Sequence, residues 1–67
     1  MKYFVNNELK EILESTSLFD VLVQMKIANQ KGIAVAINNS VIPKSEWEKY
    51  KLNENDRVTI ITATQGG

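Results

Sequence analysis

One stretch of the chain has the apolar spacing of a helix that covers a core, and strand-like segments stand on both sides of it. Its apolar residues fall at i, i+3, i+4 and i+7, so a helix turns them all to one side. They are Leu18, Val21, Leu22 and Met25. Ser17 and Asp20 have the spacing of a capping box at the start of this helix. We therefore expect one main helix, with Met25 in the core.

The sequence before the helix predicts a β-hairpin. Residues 2–5 alternate, with Tyr3 and Val5 on one face and Phe4 on the other. The pair Asn6 and Asn7 suits a two-residue turn, because Asn tolerates positive φ. Residues 8–13 fit either a short helix or the second strand, and the preceding turn favours the strand.

The segment after the helix reads as strands and turns. Gly32 is the predicted helix stop. Residues 33–37 put three β-branched residues on one face and two alanines on the other, as in a short central strand. Residues 38–40 form a turn, and a short return strand of Val41 and Ile42 ends at Pro43.

The last third of the domain combines a helical turn with a final strand. Ser45 is the predicted cap of a brief helical turn, and Trp47 is predicted to cover the core. Residues 53–56 form a polar turn. In the strand of residues 57–62, Val58 and Ile60 point one way. The other face carries Arg57, Thr59 and Ile61.

This order of elements predicts an α+β domain with a β-grasp arrangement. We expect a mixed sheet of four to five strands, covered on one face by the main helix, plus a short helical turn. Residues 1–62 form the domain, and residues 63–67 a flexible tail that ends in Gly-Gly. The β-grasp fold also implies that the last strand pairs with the first in the middle of the sheet.

Composition narrows the possible functions. Eight basic and eight acidic residues are spread without clusters, which argues against nucleic-acid binding. No signal peptide or membrane-spanning run is recognisable, so we expect a cytoplasmic protein. The chain has no cysteine and no histidine, which removes thiolate nucleophiles, imidazole bases and nearly all zinc sites.

We therefore expect no enzyme activity and no bound metal or cofactor. The acidic residues of the last third lie in polar stretches and are predicted to be solvated rather than paired for catalysis. They are Glu46, Glu48, Glu54 and Asp56.

The tail offers a different kind of chemistry. Five extended residues reach roughly 16 to 18 Å, enough to place the Gly67 carboxylate inside another protein's active site. Gly66 and Gly67 lack Cβ atoms, so their backbone can thread a narrow slot. A frayed terminus is the alternative interpretation of the tail alone.

Two internal segments resemble the small ubiquitin-like sulfur carriers of thiamin biosynthesis, the ThiS-like proteins. Residues 35–47 are similar to the family's strand, Asn-Gly turn, Val/Ile-Pro-Arg and Trp pattern. Residues 52–58 are similar to its Leu-x-x-Gly-Asp-x-Val turn, and the chain ends on the family's Gly-Gly. It departs by having Asn39 and Asn55 where glycine is usual, and Lys44 where Arg is common. Asn can keep the positive φ of these turns, whereas Lys lacks the bidentate fork of Arg.

The resemblance implies that a ThiF-like adenylyltransferase uses ATP to activate Gly67, that a persulfide donor converts it to a thiocarboxylate, and that a ThiG-like thiazole synthase takes the sulfur. Thr64, Gln65 and Gly66 would lie in the partner's active site. Phe4 and Ile61, on the sheet face beside two alanines, are the predicted docking surface.

Three alternatives remain open from the sequence. The chain would also suit the small subunit of molybdopterin synthase, although residues 38–47 and the short length favour the thiamin branch. It would suit a protein modifier whose Gly67 is passed to a lysine. It would also suit a β-grasp interaction module with an inert tail.

Overall fold

The computed structural model of the protein describes residues 1–62, and the predicted tail at residues 63–67 lies outside them. The elements are β1 (Lys2–Val5), β2 (Glu8–Glu11), α1 (Leu18–Gln24), β3 (Ile33–Ile37), β4 (Ser40–Val41), a 3-10 helix (Lys44–Glu46) and β5 (Arg57–Thr62). The ambiguous segment of residues 8–13 is thus a strand over its first four residues. Within the part of the chain described, no helix is long and apolar enough to cross a membrane.

The strands form one mixed sheet in the order β2-β1-β5-β3-β4. β1 and β5 run parallel, and the other neighbours are antiparallel. The final strand therefore occupies the middle of the sheet beside the first, as predicted. β3, predicted to be central, is an interior strand with β5 on one side and β4 on the other. With α1 covering one face, the α+β prediction of a β-grasp domain is confirmed.

Two pairs of asparagines make the hairpin turns. Asn6 and Asn7 have φ of 48° and 72°, and Asn38 and Asn39 have φ of 52° and 73°. Positive φ at both central residues is the type I′ pattern, whose twist matches the right-handed twist of the strands. Asn55 also has positive φ, at 68°. Asn thus takes the conformation at positions 39 and 55 that glycine usually takes in similar turns.

The start of α1 follows the predicted cap. Ser17 is extended, and its side-chain oxygen accepts a hydrogen bond of 3.1 Å from the Asp20 backbone N–H. This bond satisfies one of the backbone donors that the first helical turn leaves unpaired. Leu18, Val21 and Leu22 are fully or almost fully buried against the sheet.

The end of α1 differs from the prediction. The helix ends at Gln24, and Met25 serves as its C-terminal cap, because Lys26 takes a left-handed conformation with φ of 65°. Met25 therefore falls outside the buried stripe and is 39% exposed, so its assignment to the core is wrong. Gly32 does not stop the helix; it has φ of 77° immediately before β3.

Trp47 closes the core as predicted. Its side chain is 3% exposed, and its indole N–H donates to the Ile42 carbonyl oxygen at 3.0 Å. The predicted Ser45 cap is wrong, because the 3-10 helix begins at Lys44, after Pro43, and has no side-chain cap. The complete buried apolar core is Tyr3, Val5, Leu18, Val21, Leu22, Ala28, Val35, Ile37, Trp47, Leu52 and Val58.

Asp56 is not solvated, which corrects the prediction for this carboxylate. It is 5% exposed and accepts hydrogen bonds from the Asn38 side-chain amide (3.0 Å) and the Asn53 backbone N–H (2.8 Å). The Asn38 side-chain oxygen in turn accepts from the Arg57 backbone N–H at 3.0 Å. A buried charge is tolerated when hydrogen bonds satisfy it in this way. The three glutamates predicted to be solvated with it, at positions 46, 48 and 54, are exposed.

Replacing Asp56 with alanine is expected to lower the free energy of unfolding by about 1–3 kcal/mol, because two part-buried donors lose the buried carboxylate that accepts their hydrogen bonds. Urea denaturation measures this change. Glu48→Ala is the matched control, since Glu48 is exposed and forms no hydrogen bond or ion pair with the other described residues. We expect the control to stay within about 0.5 kcal/mol of the parent. Equal stability of the two variants would show that the Asp56 network contributes nothing.

Candidate functional site

β5 leads into the tail, and neighbouring strands hold it on both sides. β3 pairs with it from Ile37 opposite Val58 to Ile33 opposite Thr62. β1 pairs with its first half, where Phe4 lies opposite Arg57 and Val5 lies opposite Val58. The sheet therefore fixes the base of the tail.

The helix-facing side of β5 is anchored by burial. Val58 is 1% exposed, and Ile60 is half-buried against the core cluster. Fully burying a side chain of this type stabilises a fold by about 1.5–3 kcal/mol. Neither rotation nor slippage of β5 is compatible with this packing, because a shift of one residue would turn its buried residues to solvent.

The other side of the sheet, which we call the open face, carries apolar side chains that the helix does not cover. Strand register identifies them: Phe4 lies opposite Leu9, Ala34 opposite Ile61, and Ala36 opposite Val41. Three of these side chains are strongly exposed, Leu9 by 56%, Ile61 by 59% and Val41 by 72%. Exposed apolar side chains that share one face are typical of a surface that contacts another protein.

The two residues predicted for docking share the open face but have different surroundings. Ile61 lies near the tail end of β5, opposite Ala34. Phe4, in β1, lies opposite Arg57, the first residue of β5. It is half-buried, and the Arg57 guanidinium carbon stands 5.1 Å from the centre of its ring. This distance is within the range of a cation–π contact. Phe4 and Ile61 therefore mark two ends of one surface.

Sequence reasoning missed Leu9 and Val41 as members of the open face. The signal was present in the hairpins, because a two-residue turn fixes which residues lie opposite each other. The turn at Asn6 and Asn7 sets Leu9 opposite Phe4, and the turn at Asn38 and Asn39 sets Val41 opposite Ala36. Counting residues outward from each turn would have identified Leu9 and Val41 as members of the open face.

Two lysines line a cleft beside the first residues of β3. The cleft lies between residues 30–32 and residues 43–47, and its lining includes Lys31, Lys44 and Ile33, the residue opposite Thr62. Between Asp20 and Glu46 the sequence has no acidic residue, and neither lysine forms an ion pair within residues 1–62. The end of β5 therefore lies beside a surface that favours acidic groups.

The surroundings of Tyr3 and Tyr50 shift the pKa values of their hydroxyl groups. Burial raises the pKa of the Tyr3 hydroxyl, and the charge of Lys10 opposes part of this change. Burial also raises the pKa of the Tyr50 hydroxyl, and the negative charge of Asp56 adds to it. Both phenols are therefore protonated at neutral pH and do not supply a base. No group of three acidic, histidine or cysteine residues in the described part of the chain is placed to hold a metal ion.

The predicted chemical site itself, Gly67 with Gly66, Gln65 and Thr64, lies outside the described residues. The described residues show the position of β5, the strand that precedes this predicted site. The last described residue, Thr62, is in register with Ile33 and exposed to solvent.

Two known proteins align with nearly all of the chain. The sulfur carrier protein ThiS of Escherichia coli strain K12 is 22% identical over 67 residues, covering all of both chains. An uncharacterized protein, ycf40 of Trieres chinensis, is 28% identical over 65 residues, covering 97% of this chain and 88% of its own.

The fold matches solved structures of a thiamine biosynthesis protein from Geobacter metallireducens. Its crystal structure, described as ThiS, superimposes with a TM-score of 0.84 over all of both chains at 22% identity. Its solution structure gives a TM-score of 0.78, covering all of this chain and 88% of that one. The family model described as "ThiS family" matches residues 3–67, so that domain and tail are both included. The protein therefore belongs to the ThiS family of small sulfur carriers.

Proposed function

We propose that the protein carries sulfur as a thiocarboxylate on Gly67 and supplies it for thiazole synthesis in thiamin biosynthesis. The observation that supports this most is the match of the ThiS family model through residue 67, the last residue of the Gly-Gly tail. The protein acts as a carrier and co-substrate, and separate enzymes perform the bond-making steps.

Activation by a partner is chemically necessary. An α-carboxyl group has a reference pKa of about 3.3–3.7, so it is ionised at neutral pH and a poor electrophile. In the proposed first step, a Gly67 carboxylate oxygen attacks the α-phosphorus of ATP, and pyrophosphate leaves. The product is an acyl adenylate with AMP as its leaving group. A ThiF-like adenylyltransferase is the proposed catalyst.

Sulfur enters in the second step. The terminal sulfur of a persulfide attacks the acyl carbonyl carbon, AMP leaves, and an acyl disulfide forms. A thiol of the sulfur donor then cleaves the sulfur–sulfur bond, which releases the thiocarboxylate and leaves a disulfide on the donor. The thiocarboxylate sulfur is the nucleophile that a ThiG-like thiazole synthase would accept. These ATP-dependent steps fit the predicted cytoplasmic location.

The arrangement of a tail that follows a strand held in the sheet suits the proposed adenylation and sulfur transfer. β5 is held by β3 to its last residue, while the five residues after it span roughly 16 to 18 Å when extended. Gly66 and Gly67 allow close approach of enzyme groups to the reacting carbonyl, since no Cβ obstructs it. The domain thus presents one carboxylate to successive partners without a change in its own fold.

The open face is the proposed docking surface for these enzymes, with Phe4 and Ile61 at its two ends. A partner that buries the exposed side chains of Leu9, Val41 and Ile61 gains apolar burial, and Ile61 is the one of the three that lies next to the end of β5. Alternative functions use the same tail differently, and the tests below separate them.

Intact-mass analysis tests the loading of Gly67. After incubation with ATP, the adenylyltransferase and a persulfide donor, we expect a mass gain equal to one oxygen replaced by one sulfur, located in the C-terminal peptide. Deleting Gly67 shortens the reach by about 3.5 Å and is expected to abolish loading. Glu48→Ala, an exposed change on the domain, is the control and is expected to load normally.

Each other outcome of this experiment indicates a different function. Covalent adducts between Gly67 and lysines of other proteins would indicate a protein modifier. Sulfur transfer to a pterin precursor rather than to thiazole would indicate a molybdopterin synthase subunit. An unchanged mass with every activating enzyme, together with full function after Gly67 deletion, would indicate an interaction module with an inert tail.

Ile61→Asp and Phe4→Asp are expected to weaken binding to the adenylyltransferase at least tenfold, because each would bury a carboxylate in an apolar interface. Titration calorimetry measures the affinity, and circular dichroism confirms that the fold is retained. Val23→Asp is the matched control: Val23 is 50% exposed on α1, on the opposite side of the sheet. If all three variants bind as tightly as the parent, the open face is not the docking surface.

A further inference from the structure

β5 changes from a central strand to an edge strand along its length. Its even-numbered residues direct their backbone groups toward β1, as the 2.9 Å bond from Asn6 N–H to the Val58 carbonyl oxygen shows. Phe4 N–H donates in the same way to the carbonyl oxygen of Asp56, the residue just before β5, also at 2.9 Å. Its odd-numbered residues face β3, as the bond from Asn38 N–H to the Arg57 carbonyl oxygen shows. The pairing with β1 covers only the first half of β5.

Asn6 marks where the pairing with β1 stops. The chain turns away at this residue, whose φ is 48°, and enters the hairpin that leads to β2. The Asn6 side-chain oxygen accepts a hydrogen bond of 2.9 Å from the Ile60 N–H, so it replaces the backbone acceptor that a longer β1 would supply. Asn6 thereby satisfies the last backbone donor on this side before the edge begins.

Beyond this point no strand formed by residues 1–62 pairs with β5 on the β1 side. By the alternation of a strand, the Ile60 carbonyl oxygen and the Thr62 N–H point into the space where β1 would continue. Neither group has a hydrogen-bond partner within residues 1–62. On the opposite side the same residues remain paired with β3 up to Thr62. We call these two groups the β5 half-edge.

We infer that the β5 half-edge is a strand-addition site, at which an extended segment of the adenylating enzyme pairs with β5 next to the tail. Unpaired groups on a strand edge are a template for pairing with another chain, and main-chain hydrogen bonds supply the affinity. This inference rests on the proposed function, because that enzyme receives the tail. The enzyme segment carries an apolar side chain that packs beside Ile61 on the open face.

The geometry favours an enzyme segment over a second copy of the chain. The half-edge covers only the last three residues of β5 and is blocked on one side by the Asn6 turn, so two copies would gain very little contact there. The edge strands that a second copy offers are β4, with two residues, and β2, with three charged residues of four. An enzyme segment, in contrast, continues alongside the tail and fixes its register in the active site.

The role of Asn6 as the boundary of the half-edge is testable in the free protein. Asn6→Gly keeps a residue that accepts positive φ but removes the side-chain acceptor, so the Ile60 amide is expected to exchange with solvent at least tenfold faster. Asn7→Gly is the matched control, with the same residue change one position away and no expected effect at Ile60. Hydrogen exchange followed by NMR measures both. Equal protection of Ile60 in the two variants would overturn the role assigned to Asn6.

Strand addition is tested at the Thr62 amide. In the free protein this amide is expected to exchange rapidly, and saturation with the adenylating enzyme is expected to slow it at least tenfold. The Asn39 amide, in the turn at the other end of β3, serves as the internal reference. If the enzyme binds and loads Gly67 while Thr62 remains unprotected, strand addition is wrong and the carrier function stands. If the enzyme does not bind, the proposed function and this inference both fail.

Two variants distinguish the contribution of the Thr62 backbone N–H to enzyme binding from that of the Thr62 side chain. Thr62→Pro removes the N–H of the half-edge, while the bonds to β3 come from the odd-numbered residues and remain. It is expected to weaken enzyme binding at least tenfold, whereas Thr62→Ala, which keeps the N–H, is expected to bind like the parent. Circular dichroism confirms that both fold. Equal affinities for the two variants would contradict strand addition.

Discussion

The buried carboxylate of Asp56 holds together the two turns on which the sheet depends. It accepts from the side chain of Asn38 in one turn and from the backbone of Asn53 in the other. Through the Asn38 oxygen it also fixes the first residue of β5. Because β5 lies between β1 and β3, an error in its starting point would propagate to both neighbours. One carboxylate thus sets the register of the strand that precedes the tail.

The different character of the two sheet faces follows from the size of the domain. Residues 1–62 form one α-helix of seven residues, which covers one face of the five-stranded sheet and leaves the other without a helix from this part of the chain. The other face keeps apolar side chains at the surface, with Arg57 shielding part of Phe4. A chain this short buries a modest fraction of its surface, so an apolar open face is a direct result of building five strands from so few residues. In a carrier protein that works with partner enzymes, such an exposed apolar surface is available for contact with them.

Local patterns in the sequence predicted the parts of the fold that depend on neighbouring residues. Alternation predicted the strands, asparagine pairs predicted the hairpin turns, and the Ser17 spacing predicted the start of α1. The end of α1 was not predictable, because Lys26 carries no residue-type signal for positive φ. The burial of Asp56 depends on Asn38, 18 residues away in sequence, which no local pattern encodes. For the site, the tail chemistry came from the sequence alone, whereas the extent of the open face and the half-edge required strand register.

The contact between Asn6 and Ile60 joins residues 54 positions apart in the chain. The central pair of strands therefore closes only after nearly the whole domain has been synthesised, and loop closure of this length makes the pairing a late step in folding. A nascent chain that lacks β5 has an open sheet and an incomplete core. The strand that precedes the tail is therefore also the strand that completes the sheet and the core.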